Sequence, residues 1–120
     1  MIKLRAFANA KMYYPTEEMW WYFTPSGYWS LNIGDSPGEI ICDSLESDNP
    51  HLMQFTGLLD KKGVEFYEGD ILNWIGLIFP ITVDGFHGYR FMFGEDQLTK
   101  AFAKEGKIIG NIYENPDLLI

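Results

Sequence analysis

Two acidic residues, Glu68 and Asp70, flank Gly69, and their type and spacing suit acid–base chemistry. In an extended segment, residues two apart point to the same side, and carboxylates that are held together can share a proton. A simpler interpretation is a tight corner in which both carboxylates accept backbone N–H bonds and the glycine supplies an unusual φ. We favour the structural turn, because turn chemistry explains both residues without a substrate.

Metal and nucleophilic chemistry have weaker support. The only histidines are His51 and His87, and neither stands at ligand spacing from the single cysteine, Cys42. Cys42 lies in an apolar run, which is typical of a small core residue. The sequence contains no glycine-rich phosphate loop and no hydrolase or metalloprotease motif. We therefore expect no catalytic residue, no metal and no cofactor, and we predict that the protein is not an enzyme.

Aromatic side chains are concentrated near the N-terminus. They make up 17% of the 120 residues, and eight of them fall between residues 13 and 29. Burial tendencies favour a core, while rings on both faces of a strand also suit a subunit interface. The candidate interface residues are Trp20, Trp21, Tyr22, Tyr28 and Trp29. On this interpretation the protein forms a homo-oligomer through these rings.

The charge is unevenly distributed along the chain. The net charge is −8, and residues 12–60 contain eight acidic residues but no lysine or arginine. Such a segment disfavours nucleic acid, because affinity for a polyanion depends on counterion release by basic side chains. The simplest interpretation is a solvated face that keeps the protein soluble. The functional interpretation is a surface for a basic protein partner, or a mimic of DNA charge.

Nucleic-acid binding remains the alternative function, and it sets a geometric condition. Five basic residues would have to converge into one patch beside an aromatic ring. They are Lys3, Arg5, Lys11, Lys61 and Lys62. In a mimicry version, the acidic segment 12–60 would instead occupy a DNA-binding protein.

The sequence shows no segment that suggests a membrane or a secretory route. The N-terminal residues have no apolar run of signal-peptide length, and the longest apolar stretch, 71–81, is far shorter than a membrane span. A single cysteine fits a reducing compartment. We predict a cytoplasmic protein with no membrane partner.

Short strand-like runs separated by turn residues predict a mainly β fold with small SH3-like or barrel-like domains. Residues 19–23 and 28–33 are rich in strand formers, and the intervening Thr-Pro-Ser-Gly predicts a hairpin. A second hairpin is predicted between 79–83 and 89–93, around Asp84-Gly85. The polar stretch 44–50 suggests a boundary between an N-terminal β part with the aromatic hairpin, 1–50, and a barrel-like part, 51–120. The two parts could also form one compact unit.

One short helix is predicted near residues 95–105. Leu98, Ala101 and Phe102 fall at i, i+3 and i+4, which gives one apolar face. Asp96 suits the helix N-terminus, and Gly106 suits its end.

Three segments resemble the YopX family of phage and prophage proteins. Residues 52–71, LMQFTGLLDKKGVEFYEGDI, resemble its signature segment, residues 108–119 resemble its closing motif, and the opening at 2–13 resembles its usual start. The middle, 19–50, shows no such match. The resemblance implies a mostly β protein with barrel-like parts, a phage or prophage gene context and frequent self-association, but it supplies no reaction.

These observations together predict a non-enzymatic, phage- or prophage-derived interaction protein that self-associates through aromatic surfaces. A protein of the host or the phage is a further expected partner. The alternative is an accessory protein that binds nucleic acid or mimics DNA.

Overall fold

The protein is mainly β, as predicted, with 54% of the described residues in strands and 9% in helices. The computed structural model describes residues 3–35, 38–84 and 90–119. The chain folds into two compact units, Lys3–Met53 and Gln54–Ile120, here called the N-terminal and C-terminal units. The sequence placed a boundary at residues 50 and 51, three residues earlier.

The N-terminal unit is built from short antiparallel strands. They are β1 (Leu4–Ala8), β2 (Lys11–Tyr13), β3 (Met19–Phe23), β4 (Trp29–Ile33), β5 (Glu39–Asp43) and the first residues of β6 (His51–Leu59). β1 pairs with β2, while β3, β4 and β5 form a three-stranded sheet in that order. The predicted aromatic hairpin is therefore present, with Met19 opposite Ile33 and Phe23 opposite Trp29.

Both faces of β4 are buried. Trp29 and Leu31 lie on one face and join Ala6, Ala8 and Cys42 in the core of this unit. Ser30 and Asn32 lie on the other face and are 2% and 3% exposed. The Asn32 side-chain amide donates to the Ser30 hydroxyl over 3.0 Å, which satisfies part of this buried polar pair.

The C-terminal unit contains the remaining elements. They are the rest of β6, β7 (Glu65–Tyr67), β8 (Asp70–Trp74), β9 (Leu77–Asp84), β10 (Arg90–Phe93), β11 (Asp96–Gln97), α1 (Lys100–Glu105), β12 (Lys107–Asn111) and a 3₁₀ helix (Pro116–Leu119). Five strands form a sheet in the order β11-β10-β9-β8-β12, and β6 pairs with β7. β9 and β10 form the predicted second hairpin. Its connection, residues 85–89, lies outside the described residues.

The helix is present but begins later than predicted. Asp96 and Gln97 pair with β10 as strand β11, so Asp96 does not lie at the helix N-terminus. Thr99 is the N-cap residue, and α1 covers only Lys100–Glu105. Ladder hydrogen bonds to β10 thus outweigh the helical preference of this short segment. Within α1, the buried side chain is Ala103, whereas Ala101 is exposed.

Gly106 ends the helix for a reason that the sequence did not reveal. Its φ of −94° is available to any residue. A Cβ at this position would lie 2.6 Å from Leu72 Cδ1 and 2.8 Å from the Phe102 carbonyl oxygen. Glycine is therefore required by close packing of the chain on β8. In the described part of the chain, neither helix is long and apolar enough to cross a membrane.

Candidate functional site

The structure places Glu68 in the turn between β7 and β8 and Asp70 at the first position of β8. Asp70 is 3% exposed, and its Oδ2 accepts the backbone N–H of Tyr67 over 2.7 Å. Gly69 between them has φ +89°, and its N–H donates to the Ile81 carbonyl over 2.8 Å. The corner connects β7 and β8 to β9, and the Asp70 carboxylate stabilises the turn.

A second buried carboxylate, Asp60, stabilises the turn after β6. One oxygen accepts the N–H groups of Lys62 and Val64 over 2.8 and 2.9 Å. The other oxygen accepts the N–H of Ile108, 48 residues away, over 3.1 Å. Although burial raises the pKa of Asp60, the hydrogen bonds from Ile108, Val64 and Lys62 outweigh it and hold that pKa below its usual value.

Asp43 has the same role in the N-terminal unit, but its bonds from backbone N–H groups are local. Its Oδ1 accepts the N–H groups of Leu45, Glu46 and Ser47, and its Oδ2 accepts the Tyr28 hydroxyl over 3.1 Å. Burial raises the pKa of Asp43, and the hydrogen bonds, led by that from Glu46, lower it below the ordinary value. The carboxylate therefore remains ionised at neutral pH and holds the turn at 43–47.

Cys42 shows no sign of activation as a nucleophile. Cys42 is 2% exposed, and burial, followed by the charge of Asp43, raises its pKa to about 11. The thiol is therefore protonated at neutral pH and is a poor nucleophile. His51 lies 2.9 Å from the Asn49 side-chain oxygen, and His87 lies outside the described residues. Among residues 3–35, 38–84 and 90–119, no three His, Cys, Asp or Glu side chains form a metal-binding group.

The structure corrects one member of the predicted aromatic interface. Trp29 is 8% exposed and belongs to the core of the N-terminal unit. Trp21 packs edge-on against it, with 6.0 Å between ring centroids. Trp20 is half-buried, and its indole N–H donates to the Gly34 carbonyl over 2.9 Å. A core role explains Trp29, because it lies on the same face of β4 as Leu31.

Two rings at the end of β3 are exposed. Tyr22 is 51% exposed and Phe23 is 53% exposed. Tyr22 lies edge-on to half-buried Tyr28, with 6.4 Å between centroids, and Phe23 stacks on Trp21 at 6.2 Å. The sequence prediction omitted Phe23, which is as exposed as Tyr22, a residue that it did include.

The backbone of β3 has a paired strand on one side only in the described part of the chain. β3 is an edge strand of its sheet. Both backbone groups of Trp29 bond to Ser44: the N–H donates to the hydroxyl over 3.0 Å, and the carbonyl accepts the N–H over 2.9 Å. Phe23 lies opposite Trp29, so its own N–H and C=O point away from β4, as do those of Trp21. We call this strand, Met19–Phe23, the hairpin edge.

The predicted basic patch loses one member to the core. Arg5 is 2% exposed; its guanidinium donates to the Tyr14 hydroxyl over 3.1 Å and lies 5.8 Å from that ring's centroid. Its burial removes it from contact with phosphates. Lys11 is exposed and lies 5.1 Å from the Tyr13 ring centroid. The other three predicted members are also exposed: Lys3 in the N-terminal unit, and Lys61 and Lys62 in the C-terminal unit.

Sequence reasoning missed a group of rings in the C-terminal unit. Trp74 and Phe102 meet edge-on with centroids 4.8 Å apart, and Phe93 lies 5.3 Å from both Phe79 and Phe102. Together with Leu77, they line an open groove of about 340 Å³. We call it the aromatic groove. Its rings come from β8, β9, β10 and α1, so no local spacing could have revealed it.

The rim of the aromatic groove combines apolar and acidic side chains. Leu77 and Phe79 are 50% and 40% exposed, and the exposed acids Glu95 and Asp96 complete the lining. Beside it, Ile75 at the tip of the β8–β9 hairpin is 71% exposed and has φ +50°. A β-branched residue at positive φ is strained, and Asn or Gly is usual there.

Comparisons with known proteins agree with the observed fold. A family model described as YopX protein matches residues 3–120. The crystal structure of protein EF1440 from Enterococcus faecalis has 25% sequence identity and a TM-score of 0.63, covering 100% of this chain and 99% of that one. The crystal structure of protein yopX from Bacillus subtilis has 20% identity and a TM-score of 0.64, covering 98% and 97%, which shows a shared fold. No curated protein matches the chain.

Proposed function

The chain belongs to the YopX family, and from this premise we propose that it is a non-enzymatic interaction protein of a phage or an integrated element that forms a homodimer through the hairpin edge. The observation that carries the proposal is the outward direction of the Trp21 and Phe23 backbone groups on an edge strand. Such a strand is a template for pairing with another strand. A two-fold axis lets the same strand of a second copy supply the partner.

An antiparallel pair centred on Trp21 suits the residues along β3. Trp21 would face its own copy and exchange two backbone hydrogen bonds with it, and Trp20 would face Tyr22. The two acids before the strand, Glu17 and Glu18, would then face the uncharged turn of the partner, not each other. Like charges are thus kept apart within the pair.

The side chains of the hairpin edge favour association over solvation. The strand reads Met-Trp-Trp-Tyr-Phe and contains no charge and no proline, the two features that commonly protect edge strands from pairing. Tyr22 and Phe23, each about half exposed, would lose water contact in the dimer. Large aromatic rings supply much of the binding energy of interfaces.

The non-enzymatic part of the proposal is supported by what the carboxylates and the thiol do. Asp43, Asp60 and Asp70 each accept backbone N–H groups within turns, so their charge has a structural use. Cys42 has a pKa of about 11. Glu68 and Asp70 have the spacing that suits acid–base chemistry, but the Asp70 carboxylate accepts the Tyr67 N–H and stabilises a turn.

Substitution of Phe23 tests the edge directly. Phe23→Pro removes an N–H that points away from β4, so it leaves the hairpin ladder intact, and Phe23→Leu keeps both the N–H and an apolar side chain. By sedimentation equilibrium we expect the wild type to be dimeric, Phe23→Pro to weaken dimerisation at least about tenfold, and Phe23→Leu to stay close to the wild type. A monomeric wild type at about 100 μM would refute the proposal.

Salt separates this proposal from nucleic-acid binding. Each copy carries a net charge of −8, so screening should strengthen the dimer. Binding to phosphates weakens as salt rises. The burial of Arg5 weighs against the predicted basic patch, and a salt-sensitive complex with DNA would restore that alternative.

A further inference from the structure

We propose that the aromatic groove binds an arginine side chain presented by a basic segment of another protein. The inference is independent of the homodimer, because it rests on residues of the C-terminal unit alone. It assigns a ligand class to a surface that does not contribute to the hairpin edge.

The groove offers aromatic surface of the kind that attracts a cation. Four rings, those of Trp74, Phe79, Phe93 and Phe102, are linked by centroid distances of 4.8 to 6.5 Å. A cation within about 6 Å of a ring centroid is attracted by the negative face of the ring, most strongly for tryptophan. Phe93 is only 3% exposed and forms the floor, while Phe79 is 40% exposed and forms a wall.

The charge of the groove is complementary to a guanidinium group. Glu95 and Asp96 are adjacent, exposed and part of the lining, and no basic residue is among the lining residues that the structure describes. Two neighbouring carboxylates can accept the forked N–H donors of arginine. Arginine suits this site better than lysine, because its planar and weakly hydrated group also stacks on aromatic rings.

The hairpin tip extends the surface beyond the groove. Ile75 and Leu77 are 71% and 50% exposed, and Ile75 has a strained φ of +50°. Strain of this kind concentrates at ligand-binding sites, because local folding alone does not favour it. An apolar residue next to the bound arginine would lie on these two side chains, which makes the occupant a peptide segment and not a free cation.

The probe is the tripeptide Ac-Leu-Arg-Leu-NH2, compared with the same peptide carrying citrulline, the uncharged isostere of arginine. Binding is followed by the ¹⁵N-resolved indole N–H resonance of Trp74, assigned through its loss in Trp74→Phe. We expect the arginine peptide to shift this resonance in a saturable way and the citrulline peptide to bind about tenfold more weakly.

Two charge variants provide the matched comparison. The double variant Glu95→Gln/Asp96→Asn should weaken binding of the arginine peptide about tenfold. Glu17→Gln/Glu18→Gln removes the same net charge from the N-terminal unit and should change the affinity less than about twofold.

Three outcomes would overturn the proposal. The first is no shift of the Trp74 resonance up to about 10 mM peptide. The second is equal affinity for the arginine and citrulline peptides, since the charge would then play no part. The third is a shift of the Trp74 resonance on raising the protein concentration alone in Phe23→Pro, in which the hairpin-edge dimer is weakened, because a second copy of the chain would then occupy the groove.

Discussion

The hairpin edge and the aromatic groove use the same kinds of side chain in opposite ways. In the hairpin edge, five consecutive residues of one strand alternate between two faces. In the groove, rings from four elements are linked through contacts with 4.8 to 6.5 Å between ring centroids. Aromatic residues that cluster in sequence thus give a two-sided strand, whereas residues far apart in sequence build the concave surface.

The two regions also differ in how buried acids stabilise the surrounding turns. Asp43 bonds to N–H groups only two to four residues away. Asp60 bonds across 48 residues to Ile108 of β12, the strand next to β8, which carries Trp74. The local bonds of Asp43 stabilise the turn after β5. The long-range bond of Asp60 instead holds β12, which pairs with the groove strand β8.

The largest expected effect is the difference in stability between substitutions at a core position and at a surface position of the aromatic hairpin. Trp29→Ala should lower the free energy of unfolding by about 3–5 kcal/mol, because it leaves a cavity in the core. Tyr22→Ala, at a position exposed in the single chain, should cost the monomer less than about 1 kcal/mol, so the two variants are compared at a protein concentration too low for dimerisation. Urea denaturation of the two variants checks the difference. Equal losses in the free energy of unfolding would show that Trp29 contributes no more to the core than Tyr22 does.

The next effect concerns the long-range carboxylate. Asp60→Ala removes the acceptor of three backbone N–H groups and should cost about 3 kcal/mol, at about 1 kcal/mol for each hydrogen bond. Asp117→Ala, at an exposed position of the 3₁₀ helix, is the control and should cost less than about 0.5 kcal/mol. A cost for Asp60→Ala as small as that of the control would show that the bond to Ile108 adds little.

A smaller, pH-dependent effect follows from the same carboxylates. The pKa values of Asp43 and Asp60 are lowered in the folded protein, so their contribution to stability is complete above the unfolded pKa of about 3.9. It is lost as pH falls through the folded values, because protonation then favours the unfolded state. Denaturation of Asp60→Asn should therefore show a weaker loss of stability than the wild type between about pH 5 and 2. Parallel curves would contradict this assignment.

The smallest expected effect is a gain of stability beside the groove. Ile75→Asn should stabilise the protein by about 1 kcal/mol, because asparagine tolerates positive φ better than a β-branched residue. The matched control is Ile78→Asn, in strand β9 and 40% exposed, which should give no gain. If Ile75→Asn also weakens binding of the arginine peptide, the strain and the ligand share one site.

Much of the fold follows from local sequence. The Thr-Pro-Ser-Gly turn and the flanking strand formers predicted the hairpin, and Gly27 in that turn has φ +95°. The turn at residues 60–63 is likewise local, with Gly63 at φ +82°. The helix was the less certain element, because a six-residue helix has little stability of its own and its start depends on pairing between β10 and β11.

The sequence alone thus determined the β-class, the turns, the aromatic hairpin and the family, because strand alternation and turn preferences act over a few residues. Only the tertiary structure decided that Trp29 and Arg5 are buried and that four distant rings form a groove. The physical reason is that alternation sends a side chain to one face of a strand but does not specify what covers that face. Burial depends on contacts between elements far apart in sequence.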